Sequence, residues 1–450
     1  MPLPSPSAPA SPRRTGRVRG LLRAVLAAVT AATVLAVAAP PAPAATPTAT
    51  AAVTADPIKL TLPEPTGPYP IGVVQAHLID ENRADPWKPD RRRELMVSIW
   101  YPARADRDKP LAPWLSPGLA TVFEQLMAIP EYLAIPVGSV DWKGVKSHAR
   151  IAAAPLPGRR PWPVVLFSPG QGTARALNTV QVEDLASRGN VVVTIDHTYE
   201  EAAVEFPDGR VELGLSLDRG PETQRKSNDS RVADIRFVLD QLARLRGGNR
   251  DVLGSTGLPA GLRRAFTLNS VGVFGHVQGG YAGLEAMYHD RRIDAGVNLD
   301  GVLAYGDGRG ANPYLPGMAA QHDLGRPTLL MGAHMYDVTG PLVAHNHVNG
   351  SDRSWTDFWS VQSAFKRDLT LNGSALDSYA DFMFFLPQIN ARMPLNPAIV
   401  RLFIGDVDPD AALNAQRAYL ASFFDRFLKG RNDGLLDGPS PRYPQITFVN

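Results

Sequence analysis

An α/β fold, with a mostly parallel central sheet and helices on both faces, is what the sequence predicts, and three observations predict it. Short runs of continuous apolar, β-branched residues recur, as in Val191 to Asp196 (VVVTID), the pattern of strands buried on both faces. They alternate with stretches whose apolar residues fall at helical spacing. The chain has 450 residues, 44% hydrophobic and 20% charged, enough to bury a large core. It contains no cysteine, which excludes disulfides, thiolate metal sites and a cysteine nucleophile.

The amino terminus reads as an export signal. Arg13 to Arg23 form a positive region, Ala24 to Ala39 is small and apolar, and Ala42-Pro43-Ala44 supplies a small-x-small cleavage pattern. Residues 1–44 are therefore expected to be a signal peptide, cleaved near Ala44, leaving a secreted protein with no stable membrane anchor. The apolar stretch is too short and too weakly hydrophobic to span a bilayer comfortably. Arg13-Arg14 leaves the choice between general and twin-arginine export open. The formal net charge is +2, and five arginines lie before residue 44, so the body carries −3. A basic nucleic-acid footprint is excluded. Residues 45–57, rich in Pro, Ala and Thr, read as a flexible leader, and the folded domain is expected over 58–450.

Within the body, Leu95 to Tyr101, Pro163 to Phe167, Val191 to Asp196, Val271 to Phe274, Ala295 to Leu299 and Pro327 to Gly332 read as strands. Leu177 to Arg188, Ser230 to Arg246, Tyr281 to Tyr288, Thr356 to Lys366 and Ala411 to Lys429 read as helices. Leu111 to Val140, apolar and punctuated by prolines, breaks this rhythm. It fits a cap over a cleft (111–140) or a helical pair packed on the core.

The run Val271-Gly-Val-Phe-Gly-His-Val-Gln-Gly-Gly280 followed by a helix has the form of a nucleophile elbow, the sharp strand-to-helix turn that lifts one side chain above a sheet edge. Gly275 and Gly279 hold the positions two before and two after the apex, where the backbone comes too close for a Cβ. The apex is Val277. Valine has no lone pair and cannot attack a carbonyl. A β-branched residue also fits poorly in such a backbone, at a cost of about 1–3 kcal/mol. The sequence has no Gly-x-Ser-x-Gly elsewhere.

From about Leu60 to Lys429 the chain resembles the platelet-activating-factor acetylhydrolase family, in its secreted bacterial branch. The resemblance rests on Arg93-Glu-Leu-Met-Val97, Trp100-Tyr-Pro-Ala103, Phe167-Ser-Pro-Gly-Gln-Gly172, Asp196-His197, Arg231-Val-Ala-Asp234, Asn298-Leu-Asp-Gly301 and Trp355 to Asp381. It implies an α/β-hydrolase fold and a metal-free, cofactor-free Ser-His-Asp triad for short acyl esters of lipids. By this resemblance Val277 stands at the nucleophile position, Asp300 is the surviving triad acid and Leu376 stands at the base position. The backbone amides of Gln171 and Gln278 would be the oxyanion donors. Pro169 replaces the family's histidine beside that loop. On residue chemistry alone Asp300 is also read as an aspartate closing a loop.

Other groups are weighed as substitutes. His276 adjoins the apex and reads as a packing residue; His334, with Asp337 nearby, reads as a loop histidine at the cleft edge. His345-x-His347 with Asp352 reads as a solvated loop, and Tyr379 and Phe382 to Leu386 as core or as pocket lining. The expected function is a secreted pseudo-hydrolase with a lipid or small-ester pocket. An esterase with an unrecognised nucleophile and a non-enzymatic interaction protein are the alternatives.

Overall fold

The computed structural model describes residues 56–218, 220–249, 258–308, 312–335 and 343–450. The expected signal segment, most of the expected leader and Asp337 lie outside the described residues. Eleven strands form one sheet, numbered in chain order: β1 Ile71–Ala84, β2 Arg92–Pro102, β3 Leu111–Pro113, β4 Lys146–Ile151, β5 Trp162–Ser168, β6 Val191–Asp196, β7 Phe266–His276, β8 Ala295–Leu299, β9 Thr328–Gly332, β10 Lys366–Leu371 and β11 Ile446–Val449. Their spatial order is β11-β10-β9-β8-β7-β5-β6-β2-β1-β4-β3. Pairing is parallel from β6 through β5, β7, β8 and β9 to β10, and antiparallel where β2 meets β6 and where β11 meets β10.

The principal helices are α1 Pro117–Met127, α2 Thr179–Ser187, α3 Pro221–Arg246, α4 Gln278–His289, α5 Arg353–Val361, α6 Phe382–Asn390, α7 Pro397–Ile404 and α8 Pro409–Lys429. The sheet separates two cores because successive side chains of a strand point to opposite faces. On β5, Val165 and Phe167 pack with α1, α2, α6 and α8, while Val164 and Leu166 pack with α3, α4 and α5. All four side chains are buried completely, which is why this strand reads as an unbroken apolar run.

Two expected boundaries move. The stretch read as one helix from Thr356 to Lys366 divides into α5, which ends at Val361, and β10, which begins at Lys366. The charged start Lys366-Arg367-Asp368 hides this strand, which pairs with β9. Helix α3 begins at Pro221 rather than Ser230; its first turns are polar, but proline at the first helical position fits a helix start.

The segment after β3 contains α1, followed by turns rather than a second helix. Proline opens α1, and the Glu205 carboxylate accepts from the Gly118 amide at 2.7 Å, satisfying one free donor of its first turn. Trp114 locks this segment to the body. Its indole donates to the Ala176 carbonyl and the Asp381 carboxylate, both at 2.9 Å, and its ring meets Phe123 and Phe385 edge-on. Asp381 also accepts from the amides of Thr179 and Val180, so one buried carboxyl joins the residue after β3, the start of α2 and the loop before α6.

Candidate active site

The strand β7 ends at His276, α4 begins at Gln278, and Val277 between them has φ 51° and ψ −121°. A positive φ is a strained conformation for a β-branched residue, worth on the order of 1–3 kcal/mol. Close packing holds it there. A Cβ on Gly279 would lie 1.9 Å from the Ser168 carbonyl oxygen, and one on Gly301 would lie 2.0 Å from the Val277 carbonyl oxygen. The Val277 amide donates to the Leu299 carbonyl at 2.8 Å. The turn is thus clamped between the end of β5 and the end of β8, with Asp300 immediately beside it.

The loop after β5 closes the third side. Its Pro169 carbonyl accepts from Arg231 at 2.6 Å, and its Gly172 amide donates to the Glu200 carbonyl at 2.8 Å. Among the described residues, the amides of Gln171 and Gln278 have no acceptor. Leu376 opens a single turn, Leu376–Tyr379, after β10. It reaches this corner through its backbone: the His276 Nε2 lies 2.8 Å from the Leu376 carbonyl oxygen, while the Leu376 side chain is 36% exposed. His276 is buried, as a packing role requires, and burial holds its pKa below the ordinary histidine value.

Asp300 has a partner that sequence reasoning missed. Its Oδ1 accepts from the Ala333 amide and from His345 Nδ1, each at 2.8 Å, and His345 Nε2 meets Asp352 at 2.9 Å. The expectation of a solvated loop around His345, His347 and Asp352 is overturned, since all three are buried. Burial alone would lower the His345 pKa, but hydrogen bonds and charge from Asp300 and Asp352 push it up to about 10. Both ring nitrogens then donate, and the imidazolium lies tilted against Trp355 with ring centroids 4.0 Å apart. Asp352 caps α5 as well, accepting from the Ser354 amide at 2.7 Å. His347 is likewise held, by Asp368 at 2.6 Å and by the Trp359 ring. His334 lies on a short strand after β9, with Nδ1 buried and unpartnered.

A serine–histidine–aspartate arrangement lies at the end of β5, beneath the loop that follows it. Ser168 Oγ is 2.9 Å from His197 Nε2, and His197 Nδ1 is 2.9 Å from Asp234. Arg93 reaches Asp234 at 2.6 Å and Asp85 at 2.9 Å, and Arg83 also pairs with Asp234. Ser168, His197 and Asp234 are wholly buried. Burial, reinforced by the Arg231 charge, lowers the His197 pKa to about 4. Against the opposing effect of burial, Arg93 and Arg83 hold Asp234 far below the usual carboxylate range. These residues stood out in the sequence one by one, but their mutual contact is tertiary.

Between α1 and the loop after β5 lies a narrow apolar cavity, bordered by Leu119, Phe123, Met127, Gly172, Phe382 and Asp377 among others. Phe382, from the aromatic run, therefore has both roles considered for it, being also a member of the core. Among the described residues, no group of three or more His, Asp or Glu side chains could hold a metal ion, and no helix is long and apolar enough to cross a membrane.

The sheet order, the strand–turn–helix at Val277 and the loops gathered beside it define an α/β-hydrolase fold. Residues 55–433 match the model of the family described as "Platelet-activating factor acetylhydrolase, isoform II". The chain belongs to that family. It is 28% identical over 413 residues to a probable 1-alkyl-2-acetylglycerophosphocholine esterase of Arthroderma benhamiae, covering 88% of this chain and 95% of that protein. Identity to a platelet-activating factor acetylhydrolase of Gallus gallus is 22% over 423 residues, covering 86% and 90% of the two chains. A solved ferulic acid esterase from Streptomyces cinnamoneus superposes with a TM-score of 0.66 at 32% identity, covering 87% of this chain and 99% of that one.

Proposed function

We propose that this member is a secreted pseudo-hydrolase, a lipid-ester hydrolase scaffold whose triad has lost its nucleophile and base and whose apolar pocket still takes a lipid or small acyl ester. The observation that carries the reading is Val277 at the strained apex of the turn. A hydrocarbon there has nothing to form an acyl intermediate with. Leu376 offers no imidazole, and the carboxylate of Asp300, the inherited triad acid in this reading, is engaged by His345. The free amides of Gln171 and Gln278 are left as the oxyanion hole, which without a nucleophile gives only weak catalysis. Relatives named for lipid-ester hydrolysis support an ester or lipid as the ligand class, and the amino-terminal signal supports export.

The Ser168–His197–Asp234 geometry favours a second reading, an esterase with a displaced nucleophile. Complete burial of Ser168 weighs against it, although His197 is neutral above about pH 4. A neutral imidazole is the right form for a base, but no substrate carbonyl reaches a serine under the oxyanion loop. One pair of assays separates the readings. The purified mature chain is expected to hydrolyse activated acetyl esters only at background, since loss of nucleophile or base alone can cost about 10⁶ in turnover. A fluorophosphonate probe is expected to leave it unlabelled. Stoichiometric labelling of any serine would falsify the pseudo-hydrolase reading, and labelling at Ser168 would install the second.

A further inference from the structure

Around Ser168, His197 and Asp234 the fold gathers five buried carboxyls, Asp85, Asp196, Glu200, Glu201 and Asp234, and four guanidinium groups, Arg83, Arg93, Arg175 and Arg231. Four of the acids have a close arginine. Asp85 lies 2.9 Å from Arg93, Asp234 is shared by Arg93 and Arg83, Asp196 pairs with Arg175, and Glu200 lies 2.7 Å from Arg231. Glu201 is the fifth. Its Oε1 accepts from the His197 amide at 3.2 Å, and Arg231 Nη2 stands 3.6 Å from the same oxygen, beyond a hydrogen bond. Glu201 Oε2 and Arg231 Nη2 are both buried with no hydrogen-bond partner among the described residues.

The other groups facing Glu201 do not supply the missing positive charge. His197, on its own segment, is neutral above about pH 4. Arg175 acts on it from the turn after the β5 loop but is paired with Asp196, and Arg93 on β2 is already engaged by two acids. Glu200 adds a second negative charge beside Arg231. A buried carboxylate with one oxygen that meets no donor is a costly arrangement, and a proton on it removes the cost. Burial pushes the Glu201 carboxyl well above its ordinary value, with the Glu200 charge adding to it, against the Arg231 charge and the His197 amide.

The loop after β5 rests on this cluster. Arg231 donates to the Pro169 carbonyl at 2.6 Å, and the Glu200 carbonyl accepts from the Gly172 amide at 2.8 Å, so the two bonds flank Gln171. The Glu200 carboxylate also accepts from the Ser227 hydroxyl, which in turn accepts from the Gln278 side chain at 3.1 Å. We propose that Glu201 keeps its proton at neutral pH and acts as an alkaline switch, its ionisation loosening the loop that carries the Gln171 amide. An ionised Glu201 leaves the cluster one negative charge in excess, with two carboxylates on Arg231. Water relieves that charge most readily at the loop, where Gln171, Gly172 and Thr173 are half-buried while Pro169, Thr198 and Arg231 are buried. The inference holds whether or not the corner turns over an ester.

Infrared difference spectroscopy of the unaltered mature chain against Glu201→Gln tests the proton. At about pH 7 the difference is expected to show the carbonyl stretch of one protonated carboxyl. Bands from other buried acids with raised pKa, such as Asp381, cancel. Urea denaturation gives an independent reading. The unfolded chain ionises this glutamate above about pH 4.3, and the folded chain does not. The folding equilibrium constant of Glu201→Gln relative to the unaltered chain is therefore expected to rise about tenfold per pH unit from about pH 5 to 7, whereas an ionised Glu201 gives a ratio flat over that range. Amide exchange of residues 169–173 tests the switch. It is expected to be equal in the two chains at about pH 6 and faster in the unaltered chain at about pH 9. A missing carboxyl band or a flat ratio overturns the proton, and equal exchange at both pH values overturns the switch. A Glu201→Gln chain that does not fold also counts against the proposal, because glutamine matches the neutral acid in shape and charge.

Discussion

The corner at Val277 and the buried relay at Ser168 sit at the ends of neighbouring strands, β7 and β5, with Ser168 in register with Gly275. They differ in what each retains. The corner has a strained apex, two free amides and a cavity nearby, but a hydrocarbon where attack would begin. The relay has serine, histidine and aspartate at 2.9 Å spacings, but no access. The same three residue types are thus joined in a buried structural device in one place, while the corner keeps Asp300 but has valine and leucine at the positions the family resemblance gives to serine and histidine. Reactivity belongs to the place in the fold as much as to the side chains.

Breaking the relay should have the largest effect. Asp234→Ala removes the partner of Arg93, Arg83 and His197 at once and leaves a buried guanidinium without its principal counter-charge. A loss of about 3–5 kcal/mol is expected in urea denaturation. A loss below about 1 kcal/mol would mean that the relay does not support the core, and the contrast with the corner would collapse.

Repairing the corner comes next. Val277→Ser with Leu376→His together is expected to raise ester turnover about 10²-fold over background, at the lower end for a restored general base. Each change alone is expected to give almost nothing, because serine without a base stays protonated and histidine without a nucleophile has nothing to activate. Recovery stays partial because Asp300 Oδ1 already serves His345 and Ala333. A double variant that folds but matches the unaltered chain in turnover and probe labelling would put the interaction-protein reading first.

The smallest effect concerns strain. Val277→Gly relieves the positive φ but loses a half-buried side chain, so its net effect is expected to be a gain of up to about 1 kcal/mol. Thermal denaturation of the two chains side by side measures it. A loss of more than 1 kcal/mol, taken as about the same margin, would show the valine packing to outweigh the strain.

How much was legible in the sequence follows from these same residues. Strands β5, β6 and β8 announce themselves because burial on both faces forces continuous apolar runs. The turn at Val277 announces itself through glycines that contacts of about 2 Å demand. Strand β10 does not, because its first residues are charged and its partner lies far along the chain. His345 was unreadable for a related reason. Its neighbours Asn346, Asn349, Gly350 and Ser351 look solvated, yet the ring is carried 45 residues from Asp300 in sequence to 2.8 Å in space. The relay required the sheet to bring Ser168, His197 and Asp234 together, and no spacing rule encodes that.

His276 fastens the turn at Leu376 by its backbone carbonyl and not by its side chain. Any residue with a carbonyl at position 376 serves that bond, and the leucine side chain is exposed where it stands. Substitution there is expected to cost little, within about 0.5 kcal/mol, whereas the buried charges beneath the loop tolerate little. On the pseudo-hydrolase reading proposed above, position 376 can drift at little cost in stability, because the bond that holds the turn and the side chain that would do the chemistry are different atoms.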